Sequence, residues 1–374
     1  MKKLKQTLSR RQFLDMVFKT GCGSCLATIP LMAGNHEKWR KEAAYYSRLE
    51  DKKVRCDLCP NECIIKEGKR GICRVRENRS GTLFTLVYGR LCSMNIDPVE
   101  KKPLYHFLPG SQSLSIATAG CNVHCKFCQN WTIAQSSPED IRYQYYSPEN
   151  LIKTAKQYAV PIIAFTYSEP VIFYEYMLDV AKLAKKNNIK TVMITNGYIN
   201  PAPLQELCRY ISAIKVDFKG YSEEFYRTIV RGRLRPVLHT MQSIHENDVW
   251  LEIVNLVIPT YNDSDEDLNR LCHWIISNLD THVPVHFSGF QPQYLMKNLP
   301  PTPTKTLEKA YQLAKAAGIN HVYLGNIPQK TTDDTYCPEC DQLIIERRGY
   351  VIQDNHLKDG RCPNCEEEIA GVWE

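Results

Sequence analysis

Seven short apolar segments that alternate with amphipathic helical segments constrain the fold of this chain more than any other feature. The predicted strands are Leu114–Ala119, Ile162–Tyr167, Lys190–Thr195, Ala213–Phe218, Trp250–Ile258, Val283–Ser288 and His321–Gly325. The predicted helices include Pro148–Tyr158, Val171–Lys186, Pro201–Tyr210 and Asp265–Leu279, with start signals at Ser147, Asn200 and Ser264. Continuous apolar strands that alternate with helices predict a parallel sheet with right-handed crossovers. We therefore predict an α/β protein with a partial (β/α)6-type parallel barrel plus one extra strand.

The first predicted strand leads directly into a cysteine loop. Cys121, Cys125 and Cys128 follow the spacing C-x3-C-x2-C, which can place three thiolates around one iron–sulfur cluster. A [4Fe–4S] cluster normally takes four cysteine ligands, so three local ligands leave one iron open to a small molecule. A zinc knuckle or a set of unrelated buried thiols is the alternative.

Polar residues follow most of the other predicted strands. Glu169 comes after the second strand, Thr195 and Asn196 end the third, Asp217 and Lys219 end the fourth, and His286 lies in the sixth. In barrels of this type the active site forms at the carboxyl ends of the strands. The series therefore predicts one site that gathers these side chains around the cysteine loop.

Two further cysteine groups flank the core. Cys56, Cys59, Cys63 and Cys73 are spaced C-x2-C-x3-C-x9-C with turn formers between them, which predicts a site for zinc or for an auxiliary iron–sulfur cluster. Cys337, Cys340, Cys362 and Cys365 form two C-x2-C pairs, a spacing typical of a zinc ribbon or a rubredoxin-like module. Zinc is favoured over a single iron in the tail.

Composition limits the class of protein. The chain has 374 residues, a net charge of +6 without a dominant block, and sixteen cysteines that fall into groups. Grouped thiols in a large α/β protein indicate metal sites in a reducing compartment rather than a disulfide framework. No stretch of 18 uncharged apolar residues exists, so no membrane span is predicted.

The N-terminus resembles a twin-arginine export signal. Arg10 and Arg11 follow basic residues and precede a mildly apolar stretch over 21–34, although Asp15 and Lys19 interrupt the apolar character. The alternatives are a leader that directs export or membrane association and a basic lead-in that is never exported. We predict a leader over 1–35, a Cys-rich metal-binding segment over 36–112, a core domain over 113–330 and a zinc-ribbon or rubredoxin-like tail over 331–374.

The motifs resemble those of a known enzyme family. The cysteine loop, with Phe127 before its last cysteine, resembles the cluster loop of radical S-adenosylmethionine (SAM) enzymes. Residues 54–374 further resemble the radical SAM protein of the AmmeMemoRadiSam system, a relative of the pyruvate formate-lyase activating enzymes. This resemblance is carried by the Cys56–Cys73 motif, Gly-Cys-Asn-x-x-Cys-Lys-Phe-Cys-Gln-Asn-Trp at 120–131, Tyr-Ser-Glu-Pro at 167–170, Val-Ile-Pro-x-Tyr-Asn-Asp at 257–263 and the closing Cys-Pro-x-Cys pairs.

The resemblance implies a role for each matching residue. Cys121, Cys125 and Cys128 would hold the [4Fe–4S] cluster, and no catalytic residue beyond the cluster and SAM is implied. The implied SAM-binding residues are Phe127 against the adenine, Glu169 at the methionine amino group, Thr195, Asn196 and Lys219 around the ribose and carboxylate, His286 near the nucleoside, and Asp217 in the same set.

The expected function is reductive cleavage of SAM to a 5′-deoxyadenosyl radical that abstracts hydrogen from a substrate. The sequence leaves open a glycyl-radical-enzyme activase and, in another class, a non-catalytic iron–sulfur and zinc protein for electron transfer or nucleic-acid binding. Expected partners are a low-potential electron donor and a protein substrate or a Memo-like protein. SAM and such donors are cytoplasmic supplies, so the chemistry is expected in the cytoplasm.

Overall fold

The computed structural model describes residues 39–327 and 333–374. The predicted twin-arginine leader over 1–35 and the predicted domain boundary at 330/331 lie outside these residues. Within the described part of the chain, no helix is both long and apolar enough to cross a membrane.

The described residues form nineteen strands and eight α-helices. The strands are β1 Lys41–Glu42, β2 Tyr46–Arg48, β3 Val54–Cys56, β4 Ile64–Ile65, β5 Arg76–Arg79, β6 Thr82–Thr85, β7 Arg90–Leu91, β8 Ser93–Pro98, β9 Gln112–Ala117, β10 Gln144–Tyr145, β11 Ile162–Phe165, β12 Lys190–Thr195, β13 Ala213–Asp217, β14 Trp250–Val257, β15 Val285–Gly289, β16 Val322–Gly325, β17 Thr335–Tyr336, β18 Leu343–Arg348 and β19 Val351–Asn355. The helices are α1 Trp131–Ala134, α2 Pro148–Gln157, α3 Tyr174–Lys186, α4 Pro201–Cys208, α5 Glu223–Phe225, α6 Leu234–Glu246, α7 Asp265–Asn278 and α8 Thr304–Ala317. Short 3₁₀ turns at Val99–Lys101 and Pro170–Phe173 and a π-helical turn at Tyr226–Val230 complete the list.

The core is an eight-stranded sheet in the order β16-β15-β14-β13-β12-β11-β9-β8. The seven strands β9 and β11 to β16 are parallel, and β8 pairs antiparallel with β9 at one edge. All seven predicted strands are present, with ends shifted by no more than two residues. The α/β fold with a parallel sheet core is therefore confirmed. Ser93–Pro98, within the range assigned to the N-terminal segment, is an edge strand of this sheet.

Local chemistry explains where the helices start. Ser147 and Ser264 each accept a hydrogen bond from the backbone N–H three residues later, at 3.2 Å and 3.1 Å respectively. Asn200 precedes helix α4 but makes no side-chain cap. Its amide instead donates to the carbonyl of Asp57 at 2.8 Å, so this residue anchors the N-terminal segment rather than capping the helix.

Smaller sheets flank the core. The N-terminal segment forms two three-stranded sheets, β1-β6-β5 and β2-β3-β4, and the tail forms β17-β18-β19. The tail is fastened to the core by the buried Arg347, whose Nη2 donates to the carbonyl of Tyr105 at 2.8 Å. The backbones of His106 and Leu108 also exchange hydrogen bonds of 2.7 Å with Val372. The tail therefore lies against the segment that enters strand β9.

Candidate active site

The cysteine loop lies at the carboxyl end of β9 and borders a cavity of about 460 Å³. Cys121, Cys125 and Cys128 all line this cavity. The loop is held by its backbone: the N–H groups of His124 and Lys126 donate to carbonyls of the π-helical turn at 3.2 Å and 3.0 Å. Burial raises the pKa of Cys125 to about 12 and that of Cys121 well above its usual range. A metal that binds these thiols would bind their ionised form and release the protons.

Glu169 is buried beside the loop at the end of β11. Its Oε1 accepts from the hydroxyl of Thr195 at 2.7 Å and from the N–H of Val171 at 3.1 Å. Its Oε2 accepts from the N–H of Asn196 at 2.9 Å. Burial raises the pKa of this carboxyl to about 7 in spite of these three donors. Tyr167, two residues after the end of β11, has φ +64°, so the chain turns between this strand and Glu169.

Asn196 joins the third strand end to the cysteine loop. Its Nδ2 donates to the side-chain oxygen of Asn122 at 2.9 Å and lies 3.8 Å from the Sγ of Cys121. Thr195 lies behind Glu169, and the other expected cofactor-binding residues line the cavity. These are Phe127, Glu169, Asn196, Asp217, Lys219 and His286.

Three charged residues on β13 and just after it line the same cavity as the cysteine loop. Asp217 forms ion pairs with Lys215 and, at 3.3 Å, with Lys219. Burial opposes ionisation of Asp217, but the two ammonium groups lower its pKa to about 2. Lys219 also lies 5.9 Å from the centre of the Phe127 ring. Sequence reasoning missed Lys215, although residues 215 and 217 must share one face of the strand.

His286 and Glu252 occupy the next two strands. The Nε2 of His286 lies 2.7 Å from Glu252 Oε2. Glu252 is fully buried and also accepts from the backbone N–H groups of Tyr105 and His106 and from the indole of Trp250. The sequence did not suggest a role for Glu252, and its one signal was an acidic residue inside an apolar strand.

The polar pair of Lys102 and Asp97 at the cavity was also missed. Lys102 lines the cavity and pairs with Asp97 at 3.1 Å, and Asp97 accepts a hydrogen bond from Tyr167. Burial lowers the pKa of Lys102 to about 8, although Asp97 opposes this effect. Tyr350 of the tail also lines the cavity. The cavity lining therefore includes residues from the segment before β9 and from the tail as well as the strand ends.

Comparison with known proteins identifies the family. The sequence-family model of the radical SAM superfamily matches residues 115–272 of this chain. An uncharacterized protein of Methanocaldococcus jannaschii is 44% identical over 331 residues, which cover 88% of this chain and 98% of that protein. The chain belongs to the radical SAM superfamily. It is homologous to the pyruvate formate-lyase-activating enzyme of Clostridium pasteurianum, which is 23% identical over 169 residues covering 43% of this chain and 67% of that enzyme.

A solved structure of a radical SAM methyltransferase from Sphaerobacter thermophilus is also similar. It has a TM-score of 0.46 and 16% sequence identity, and the match covers 58% of this chain and 67% of that chain.

Membership of the radical SAM superfamily implies a [4Fe–4S] cluster and SAM, and the residues present fit both. Of the described residues that line the cavity, three are cysteines, which suits a cluster with one iron left open. The buried carboxylate of Glu169 faces the same space and suits an ammonium group.

The two outer cysteine groups differ in spacing. Among the described residues, the ligand atoms of Cys337, Cys340, Cys362 and Cys365 all lie within 4.8 Å of one another and could bind a metal ion. The four N-terminal cysteines Cys56, Cys59, Cys63 and Cys73 line a separate small cavity, and no three of them are so close together.

Proposed function

We propose that this protein reductively cleaves SAM at a [4Fe–4S] cluster and uses the product to abstract hydrogen from a substrate. Cys121, Cys125 and Cys128 would hold the cluster. When bound, the cluster and SAM supply a 5′-deoxyadenosyl radical. The observation that carries the proposal is the shared cavity of the cysteine loop and the buried carboxylate of Glu169.

The side chains around the cavity would position SAM. Glu169 is held rigidly by Thr195 and by two backbone N–H groups, so its charge is already oriented toward an ammonium group. Lys219 can pair with the SAM carboxylate, and the ion pair with Asp217 holds the side-chain ammonium of Lys219 in place. The ring of Phe127 stacks on Phe225 with centroids 6.2 Å apart, which supports it as a surface for the adenine. His286, oriented by Glu252, would border the nucleoside.

An electron carrier is the competing function from another class. A carrier needs no buried carboxylate at its cluster, because its cluster is fully ligated by the protein. Glu169 and the cavity of about 460 Å³ therefore favour an enzyme.

The substrate and partner are proposed from the resemblance and the homology. The motifs over 54–374 support the AmmeMemoRadiSam system with a Memo-like partner, and the homology to a pyruvate formate-lyase-activating enzyme supports a glycyl-radical activase. A low-potential electron donor is needed in both cases, and its supply in the cytoplasm supports a cytoplasmic reaction. The activase predicts a glycyl-radical EPR signal when a glycyl-radical enzyme encoded beside this gene is added. A Memo-like neighbour that forms a complex without that signal would favour the named system.

Binding of SAM should depend on pH through Glu169. The carboxyl has a pKa of about 7, so it gains a proton and loses its attraction for an ammonium group as the pH falls below that value. We expect SAM affinity to weaken on the order of tenfold between pH 8 and pH 6. Equilibrium binding to the cluster-loaded protein measures this change. The slope should disappear in Glu169→Gln, and an equal slope in parent and variant would assign the titration to another group.

The tail would bind zinc as a ribbon-like module over 331–374 that packs against a core over 113–330, and the N-terminal segment over 36–112 contributes strand β8 to the core sheet. The Sγ atoms of Cys337 and Cys365, and those of Cys340 and Cys362, are 3.6 Å apart. Tetrahedral zinc with Zn–S bonds of about 2.3 Å puts sulfurs roughly 3.8 Å apart, so the spacing suits this metal.

Replacing two of the tail ligands should remove this zinc. In Cys340→Ser/Cys365→Ser we expect about one zinc per chain to be lost, because two thiolates hold zinc poorly. Metal analysis of the full-length protein measures the loss. Cys208→Ser, a half-buried cysteine outside all three groups, is the matched control. An unchanged zinc content in the double variant would refute the tail site.

A further inference from the structure

The four N-terminal cysteines enclose one small cavity. Cys56 ends strand β3, and Cys59, Cys63 and Cys73 lie in the turns around β4. All four line the same space, together with the apolar side chains of Leu58, Ile65, Val171 and Ile172. The thiols therefore converge on a site closed off by both the N-terminal segment and the turn after Glu169.

The three cysteine groups of this chain can be compared as sites of different size. The tail group, with two sulfur pairs 3.6 Å apart and all four ligand atoms within 4.8 Å of one another, has the dimensions of a mononuclear site. Neither the N-terminal group nor the loop of Cys121, Cys125 and Cys128 brings three ligand atoms within 4.8 Å of one another. The N-terminal group thus shares the wider spacing of the cluster loop. A polynuclear cluster occupies such a site better than one zinc ion does.

The N-terminal site adjoins the cluster loop. A Cβ added at Gly120 would lie 2.7 Å from the carbonyl oxygen of Cys73, so the two backbones are in contact. Asn61 Nδ2 donates to the carbonyl of Asn122 at 2.7 Å, and Asn122 lines the N-terminal cavity while its side chain meets Asn196. The N-terminal site and the cluster loop are therefore joined by a backbone contact between Cys73 and Gly120 and by a hydrogen bond from Asn61 to Asn122.

Arg76 supplies a buried positive charge at this site. Its side chain is 1% exposed, its Nη1 lies 3.9 Å from the Sγ of Cys56, and it forms an ion pair with Glu175. Hydrogen bonds and charge beside cluster sulfurs favour the reduced, more negative state and so set the potential. Arg76 would therefore tune the reduction potential of a cluster bound at these cysteines.

We propose that Cys56, Cys59, Cys63 and Cys73 bind an auxiliary [4Fe–4S] cluster that passes electrons to the cluster at Cys121, Cys125 and Cys128. The relay rests on the proposed function, whereas the presence of the auxiliary cluster does not. One electron from a low-potential one-electron reductant would reduce the auxiliary cluster. That cluster is reoxidised as the electron moves to the SAM-binding cluster, and no bond breaks and no proton moves in the transfer.

Iron, sulfide and zinc analysis of anaerobically isolated full-length protein tests the site. We expect about eight iron per chain in the parent, and about four in either Cys59→Ala/Cys63→Ala or Cys121→Ala/Cys125→Ala/Cys128→Ala. The triple variant leaves the N-terminal segment intact, so it answers the question even if the double variant fails to fold. A triple variant with no iron and about two zinc per chain would overturn the proposal in favour of N-terminal zinc. If the double variant lost all iron while the triple variant kept about four iron, the only cluster would be the N-terminal one. That result would count against the SAM-binding cluster and not against the auxiliary cluster.

EPR spectroscopy tests the relay. Two reduced paramagnetic clusters in adjoining sites interact magnetically, so the reduced parent should show broadening or splitting that is absent from both variants. The assignment of the two sites also predicts that SAM alters the signal retained in the double variant and leaves the signal of the triple variant unchanged. A parent spectrum equal to the sum of the two variant spectra would overturn the relay.

Discussion

Cys125→Ala is expected to lose the SAM-binding cluster and reduce formation of 5′-deoxyadenosine to background. The cluster loop supplies three cysteines, and Cys125 is the most buried of them, so its loss leaves two ligands for the cluster. Removal of a cluster ligand exposes at least two irons instead of one, which destabilises the cluster. The measurements are iron content and the yield of 5′-deoxyadenosine with dithionite and SAM under anaerobic conditions.

Cys208→Ala controls for the loss of a cysteine as such, since Cys208 lies on helix α4 outside the three groups. It should retain the iron and the yield of the parent. If Cys125→Ala retained both as well, the assignment of the cluster loop would be wrong.

Glu169→Gln is expected to weaken SAM binding on the order of ten- to a hundredfold while leaving iron content unchanged. A charge-assisted hydrogen bond is worth roughly 1.5–3 kcal/mol, which corresponds to that range of affinity. The structure adds a second reason, because the carboxylate also accepts from Asn196, Val171 and Thr195. An amide has one acceptor oxygen, so its NH₂ group would face one of these donors.

Thr195→Ser is the matched control for this prediction. It keeps the hydroxyl that donates to Glu169 and removes only a methyl group, so SAM affinity should change little. Binding is measured with the cluster in place. If Glu169→Gln bound SAM as tightly as the parent, the role carried to this residue by the resemblance would be incorrect.

Much of the fold could be predicted because the core strands are continuous apolar runs. Lys190–Thr195 was predicted with both ends correct, since the run is bounded by a polar loop and by Asn196. The cavity could also be anticipated, because parallel strands carry their carboxyl ends to one edge of the sheet. The arrangement of Cys121, Glu169, Asn196 and Asp217 around one space follows from that rule.

The interactions that sequence reasoning missed join residues far apart in the chain. Glu252 accepts hydrogen bonds from residues 146 and 147 positions away, and Asn200 donates to a carbonyl 143 positions away. No local pattern encodes such partners, because they depend on how the entering segment and the tail pack against the finished sheet. The ion pair of Lys102 with Asp97 was missed for a different reason: it lies in the approach to β9, where no strand-end rule directs attention.

The most direct test of the proposed function is the fate of SAM in the reduced protein. Anaerobically isolated protein with an intact cluster, dithionite and SAM should release 5′-deoxyadenosine and methionine in equal amounts, as quantified by chromatography. Omission of dithionite should prevent the release, because cleavage consumes one electron. If the cluster-loaded, reduced protein left SAM intact and did not bind it, the enzyme would be excluded and an electron-carrier function favoured.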